Sequence, residues 1–186
     1  MSMINLEISK KEIIYDGKVK KYGKKGVIPI KEKLDHEHIY VIFPFERKNI
    51  GGKVHIIVDS MYIERVSLNE GKYQINLKNK YAGKKCIVIN VKDKINMELE
   101  KRYSVYDGKV KKTYNGQGIV RVKDKYLGSR SYVIFPSHRK EDDNMISFGI
   151  DEISNEGIHP DTDHTCRILL GKEYIGRDCL IVLQEA

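Results

Sequence analysis

Lys18, Lys20, Lys21, Lys24 and Lys25 fall within eight residues of one another and surround Tyr22 and Gly23. Closely spaced ammonium groups on a strand that ends in a glycine-bearing turn suit the tracking of phosphate groups, because the glycine lets backbone approach the anion. Tyr22 at the turn has the flat face needed to stack on a base or lie against a sugar. Arg47 and Lys48 follow the run "YVIFP" at Tyr40–Pro44, and Arg139 follows the second "YVIFP" at Tyr132–Pro136. A guanidinium there could reach a base edge or a phosphate. The competing reading is a solvated lysine face that keeps an edge strand soluble.

Other chemistry finds little support. His36, His38, His55 and His138 are scattered, and no P-loop, dinucleotide fingerprint, "HExxH" or nucleophile elbow is present. The sequence therefore reads as a binding protein without a catalytic site or cofactor. From Glu141 to Asp163 there are eight acids and no Lys or Arg, ending in "HPDTDH" at His159–His164. His159, Asp161 and Asp163 would share one side of an extended chain, but an ordinary polar loop explains them more simply than a cation site. Cys86, Cys166 and Cys179 lie in apolar runs without metal-ligand spacing and read as reduced core thiols. No apolar run approaches membrane-spanning length and no signal peptide is evident, so a cytoplasmic protein off the membrane is expected.

The elements that must position the lysines emerge from repetition. "YDGKVKK" occurs at Tyr15–Lys21 and again at Tyr106–Lys112, an offset of 91. The "YVIFP" runs are offset by 92, and "YAGKKCIVI" (Tyr81–Ile89) matches "YIGRDCLIV" (Tyr174–Val182) at 93. The chain is a tandem duplication of about 80 residues, and each copy holds a fainter repeat. Gly83, Gly128 and Gly176 align with one another and with His36, at spacings of 47, 45 and 48. A helical solenoid has that period but needs helical stripes, which are missing. Each quasi-repeat instead reads as strand, glycine turn, strand, short helical turn, strand, with the aligned Gly at positive φ. Pro44 and Pro136 are expected to limit the "YVIF" strands.

The stretch "KKTYNGQGIVRVKDKYLGSRSYVIF" (Lys111–Phe135) resembles the AbrB/SpoVT-like swapped-hairpin domains, and most of all the small transposon-encoded proteins of archaea. Tyr114, Asn115, Gly116 and Gly118 approximate that family's aromatic-Gly-Asn turn, with Asn and Gly displaced by one. Tyr126, Leu127 and Gly128 match its "WIG" step. The first copy keeps Tyr22, Gly23 and Gly26 but has His36 for the later glycine. The resemblance implies small barrels and DNA binding. AbrB-like domains form one barrel from two chains, whereas two quasi-repeats per copy would build each barrel within one chain.

Taken together, the expectation is an all-β or β-dominated chain with two tandem swapped-hairpin, cradle-loop-like barrels. The first spans 14–92. A charged joint of a helical turn or two follows at 93–104, and the second barrel spans 105–186 with an acidic insertion. Residues 14–92 carry a net charge of +9 and residues 105–186 a net of −1, so the overall +8 belongs to the first copy. The expected partner is nucleic acid, double-stranded DNA first, met by Lys18, Lys20, Lys21, Tyr22, Lys24, Lys25, Arg47, Lys48 and Arg139. The role would be transcriptional regulation or service to a mobile element, and a homodimer is compatible. The alternative is a protein-interaction or assembly module.

Overall fold

Alternation of apolar and polar residues, interrupted by continuous apolar runs such as Tyr40–Phe43 and Cys179–Val182, marks short strands along the chain, and the computed structural model, which describes residues 4–91 and 95–184, is built from strands accordingly. Helical structure among the described residues is limited to five 3-10 turns of three residues each. None is long and apolar enough to cross a membrane. The fold is all-β.

The chain divides into two compact units, residues 5–95 and a second that holds residues 96–186 with the first four. In the first copy the strands are β1 (Ile4–Ser9), β2 (Ile13–Lys18), β3 (Lys20–Tyr22), β4 (Lys25–Ile30), β5 (His38–Ile50), β6 (Lys53–Arg65), β7 (Ser67–Asn69), β8 (Lys72–Lys78) and β9 (Lys85–Asn90). β2 and β3 are one run broken only at Val19, and β6 and β7 one run broken only at Val66. Antiparallel ladders join β2 to β9, β9 to β5 and β5 to β6. Through the two broken runs the circuit continues, β3 to β4, β4 to β8 and β8 to β7. The ladders thus close on themselves through six chain segments. Inside lies one core of Val19, Ile28, Ile39, Val41, Phe43, Val66, Ile75, Leu77, Tyr81, Cys86 and Val88, drawn from both quasi-repeats. Neither quasi-repeat could enclose that core alone.

The second copy repeats the plan. Its strands are β10 (Ile95–Glu100), β11 (Ser104–Lys109), β12 (Lys111–Lys112), β13 (Gly118–Lys123), β14 (Arg130–Glu141), β15 (Met145–Gly157), β16 (His159–Pro160), β17 (Thr165–Leu170) and β18 (Asp178–Leu183). The same circuit runs β11–β18–β14–β15 and, through the breaks at Val110 and Ile158, β12–β13–β17–β16. Its core is again internal to the copy, from Val110, Val120, Phe135, Ile158, Ile168, Cys179 and Ile181 among others.

Four equivalent turns pin the breaks. Gly83, Gly128 and Gly176 adopt φ of +83°, +80° and +83°, and His36 adopts +60° although it is not glycine. Each donates its N–H to the carbonyl at a break: Gly83 to Val19 at 2.8 Å, His36 to Val66 at 3.0 Å, Gly176 to Val110 at 2.8 Å and Gly128 to Ile158 at 3.1 Å. The break residue's N–H returns to the carbonyl of the residue after the turn. A positive φ turns that N–H inward, which explains the glycine preference.

Three expectations are corrected. The joint at 93–104 is not a helical linker. Asp93 and Lys94 lie outside the described residues, but Ile95, Met97 and Leu99 alternate with exposed Asn96 and Glu98 in β10, followed by one 3-10 turn at Lys101–Tyr103. This segment is the counterpart of β1 and the 3-10 turn at Lys10–Glu12, so the repeat begins earlier than Tyr15 and Tyr106 suggest. The prolines do not end their strands. β5 and β14 run on to Ile50 and Glu141, because Pro44 and Pro136 occupy bulges where no ladder donor is needed. The acidic stretch after Glu141 is no insertion. It contains β15, which is as long as β6, 13 residues, and pairs with β14 as β6 pairs with β5.

Candidate nucleic-acid interface

The duplicated phrase acts first as a fastening. The Tyr15 hydroxyl donates to the Lys18 carbonyl at 2.6 Å, and its ring folds over Gly17, where a Cβ would come within 3.0 Å of the tyrosine oxygen. Asp16 receives two hydrogen bonds from the Arg47 guanidinium, both at 2.6 Å. The second copy repeats each contact: Tyr106 to the Lys109 carbonyl at 2.6 Å, Gly108 beneath its ring, and Arg139 bidentate on Asp107. Arg139 also meets Glu141. Hydrogen bonding to Asp16 raises the Arg47 pKa above its ordinary value, and Asp107 does the same for Arg139. Arg47 and Arg139 therefore clamp the YDG strand to β5 and β14 as forked pairs. Neither guanidinium is free to probe a base edge while its clamp is closed.

The lysines behave differently. Lys18 lies directly opposite Lys85 in the β2–β9 ladder, and Lys25 directly opposite Lys78 in the β4–β8 ladder. Lys20 and Lys21 lie on exposed β3, and Lys24 with Tyr22, which is 71% exposed, forms the tip of the β3–β4 hairpin. Lys80 and Lys84 come from the crossing between β8 and β9, their ammonium groups 5.1 and 5.6 Å from the centre of the Tyr81 ring. None of these nine lysines makes an ion pair among the described residues. Like charges set directly across a ladder are destabilising, and this face holds two such pairs. Lys48 is exposed on β5 opposite His55. The sequence reading found the lysines of the first hairpin and missed Lys78, Lys80, Lys84 and Lys85, which lie more than fifty residues away in the chain. Alignment of the quasi-repeats held the signal, since it sets Gly83 beside the strand break that the first lysines flank.

The second copy has neutralised the same place. The registers Gly26–Leu77 and Gly118–Leu170 make Gln117 the counterpart of Lys25, Gly171 of Lys78, Glu173 of Lys80, Arg177 of Lys84 and Asp178 of Lys85. Lys109, equivalent to Lys18, is paired with Asp178 at 3.3 Å. Of the nine counterpart positions, only Lys111 and Lys112 are lysines without an ion pair among the described residues, beside a tip loop that carries the fully exposed Tyr114.

The polar turn at 161–164 holds its own charges. Asp161 accepts from Arg121 at 2.9 Å and from the Thr165 hydroxyl at 3.3 Å, and the Arg121 hydrogen bond holds its carboxyl below the ordinary value. Among the described residues no group of three or more His, Cys, Asp or Glu is arranged to hold a metal. Cys86, Cys166 and Cys179 are free and buried, and burial pushes the Cys86 and Cys179 thiols up to about 12. In comparisons with family models, curated proteins and solved structures, nothing matches this chain.

Proposed function

We propose that this chain is a nucleic-acid-binding protein that docks on double-stranded DNA through its first copy, as a transcriptional regulator or mobile-element accessory. On this reading each closed circuit of strands is a swapped-hairpin-type barrel. The observation that carries the proposal is the set of lysines on residues 18–25 and 78–85 that make no ion pair among the described residues, two pairs of them facing each other across ladders. A fold keeps such repulsion at a cost unless a polyanion relieves it. The second copy supports the reading by contrast, because the same ladders form there without the cluster. Phosphate contacts from flexible lysines supply affinity and little sequence preference, so specificity would come from DNA shape or from the exposed hairpin tip.

The test is fluorescence anisotropy with labelled duplex DNA and single-stranded RNA over a salt series. Binding should fall steeply with salt, with a log–log slope of about −0.9 for each duplex phosphate neutralised. Lys20→Glu, Lys24→Glu and Lys25→Glu together should weaken binding by more than roughly tenfold at low salt. Their melting temperature should be no lower than that of the parent, because Lys25→Glu replaces a like-charge ladder pair with Lys78 by an opposite-charge one. The same reversal at Lys111 and Lys112 should do much less. If the parent shows no salt-sensitive binding to either probe, the lysines are a solvated face and the proposal is wrong.

A further inference from the structure

At one position the two copies differ sharply in charge. In the second copy Phe135 and Tyr174 stack with ring centres 4.7 Å apart, and the Arg177 guanidinium lies 4.4 Å from the Phe135 ring centre. Glu152, directly across the ladder from Phe135, sets its carboxylate between them. It accepts from Arg177 at 3.2 Å and from the Tyr174 hydroxyl. Asp151, in the adjoining bulge, takes the other guanidinium nitrogen at 2.8 Å. The cation, the phenol and the two acids satisfy one another.

The first copy keeps the stack and the cation but lacks the central acid. Phe43 and Tyr81 stack at 4.9 Å, and Lys84 stands for Arg177. Ser60 stands where Glu152 does, directly across the ladder from Phe43. A second ammonium, Lys80, replaces Glu173, so the place has lost two acids and gained one base. Tyr62 replaces Ser154, packs edge-on against Tyr81 at 5.6 Å and shares side-chain hydrogen bonds with Tyr81 and Ser60. Asp59 is retained as the counterpart of Asp151, exposed and without an ion pair among the described residues.

We infer that the first copy takes an external phosphate oxyanion between the Lys80 and Lys84 ammonium groups over the Tyr81 ring, on the side where Glu152 supplies the carboxylate in the second copy. The inference deepens the reading above, since a nucleic-acid backbone is one source of that oxyanion and a free phosphate is another. Two ammonium groups offer charge-assisted donors, and the Phe43–Tyr81 stack with the Tyr62 contact holds still the ring over which both lie. Asp59 limits the affinity without filling the place.

The experiment titrates inorganic phosphate into the isotopically labelled full chain at constant ionic strength held with chloride, following amide shifts at residues 79–85 and thermal stability. Phosphate should move those amides saturably and raise the melting temperature. Ser60→Glu supplies the missing carboxylate and should weaken phosphate roughly tenfold, the worth of about one charge-assisted contact. Its melting temperature in chloride should be no lower than that of the parent. Glu152→Ser should create a phosphate response at residues 172–178 that the parent lacks. If Ser60→Glu fails to fold, Lys80→Met with Lys84→Met, both at exposed side chains, must abolish the response. Phosphate that leaves residues 79–85 unmoved, or that binds Ser60→Glu as it binds the parent, overturns the inference. Duplex DNA titrated into Ser60→Glu separates the sources: weakened DNA binding assigns the place to the backbone, and unchanged DNA binding with lost phosphate binding assigns it to a free phosphate.

Discussion

At the scale of single residues, what each amino acid does here depends on which side of the strand break it occupies. In "YDGKVKK" the tyrosine, aspartate and glycine fasten the strand, the valine closes the core, and the lysines are left to solvent. The sequence showed the phrase and its lysines. It did not show that Asp16 claims Arg47, because that pairing spans 31 residues and depends on the two strands flanking β9. The positive φ of the aligned glycines was legible, since Gly83, Gly128 and Gly176 recur at one turn and glycine enters the left-handed region without a Cβ clash. His36 shows the cost of departing from it. An L residue in the left-handed region is disfavoured by about 1–2 kcal/mol, partly offset by the greater freedom glycine has in the unfolded chain. His36→Gly should therefore stabilise the protein modestly, by at most about 1 kcal/mol, whereas Gly83→Ala should destabilise it by about 1–2 kcal/mol. Urea denaturation reads both, and a His36→Gly variant less stable than the parent would mean that the imidazole's contact with the Asp35 carboxylate, 3.4 Å away, outweighs the strain.

Among the elements, charge content misled where alternation would have served. "INMELE" carries two acids and stands between two obvious repeats, so it reads as a joint. Its period of two is what a half-buried strand requires, and Ile95, Met97 and Leu99 are each no more than 1% exposed. The proline-limited strands failed for a related reason. A proline forbids a ladder donor only where one is needed, and a bulge removes the need. The element reading is checked by truncating Leu99. In a linker Leu99→Ala would be nearly neutral, but in buried β10 it should cost about 2–5 kcal/mol. Glu98→Ala, on the exposed face of the same strand, should stay within about 0.5 kcal/mol of the parent. Equal effects of the two variants in chemical denaturation would refute the assignment of β10 as a core strand.

For the whole molecule, duplication has produced two copies with the same ladders and opposite electrostatic habits. Copy one leaves nine lysines of residues 18–25 and 78–85 without ion pairs among the described residues, while copy two ties Lys109 to Asp178, and Arg177 to Asp151 and Glu152. Salt screens repulsion and attraction alike, at about 8–10 Å under ordinary ionic strength. It should therefore act on the copies with opposite sign. Added sodium chloride relieves the lysine repulsion and should slow local opening in the first copy. In the second it weakens exposed ion pairs worth about 0.2–1 kcal/mol each, so protection there should stay level or fall. Hydrogen exchange resolved by peptide makes the comparison within one sample, reading residues 72–90 against the equivalent 165–183. Protection that rises with salt only in 72–90 is the expected result, and phosphate at the same ionic strength should raise it further. Equal salt responses in both segments would mean that the lysines are far enough apart, or well enough hydrated, not to repel, and the electrostatic basis for docking would be lost.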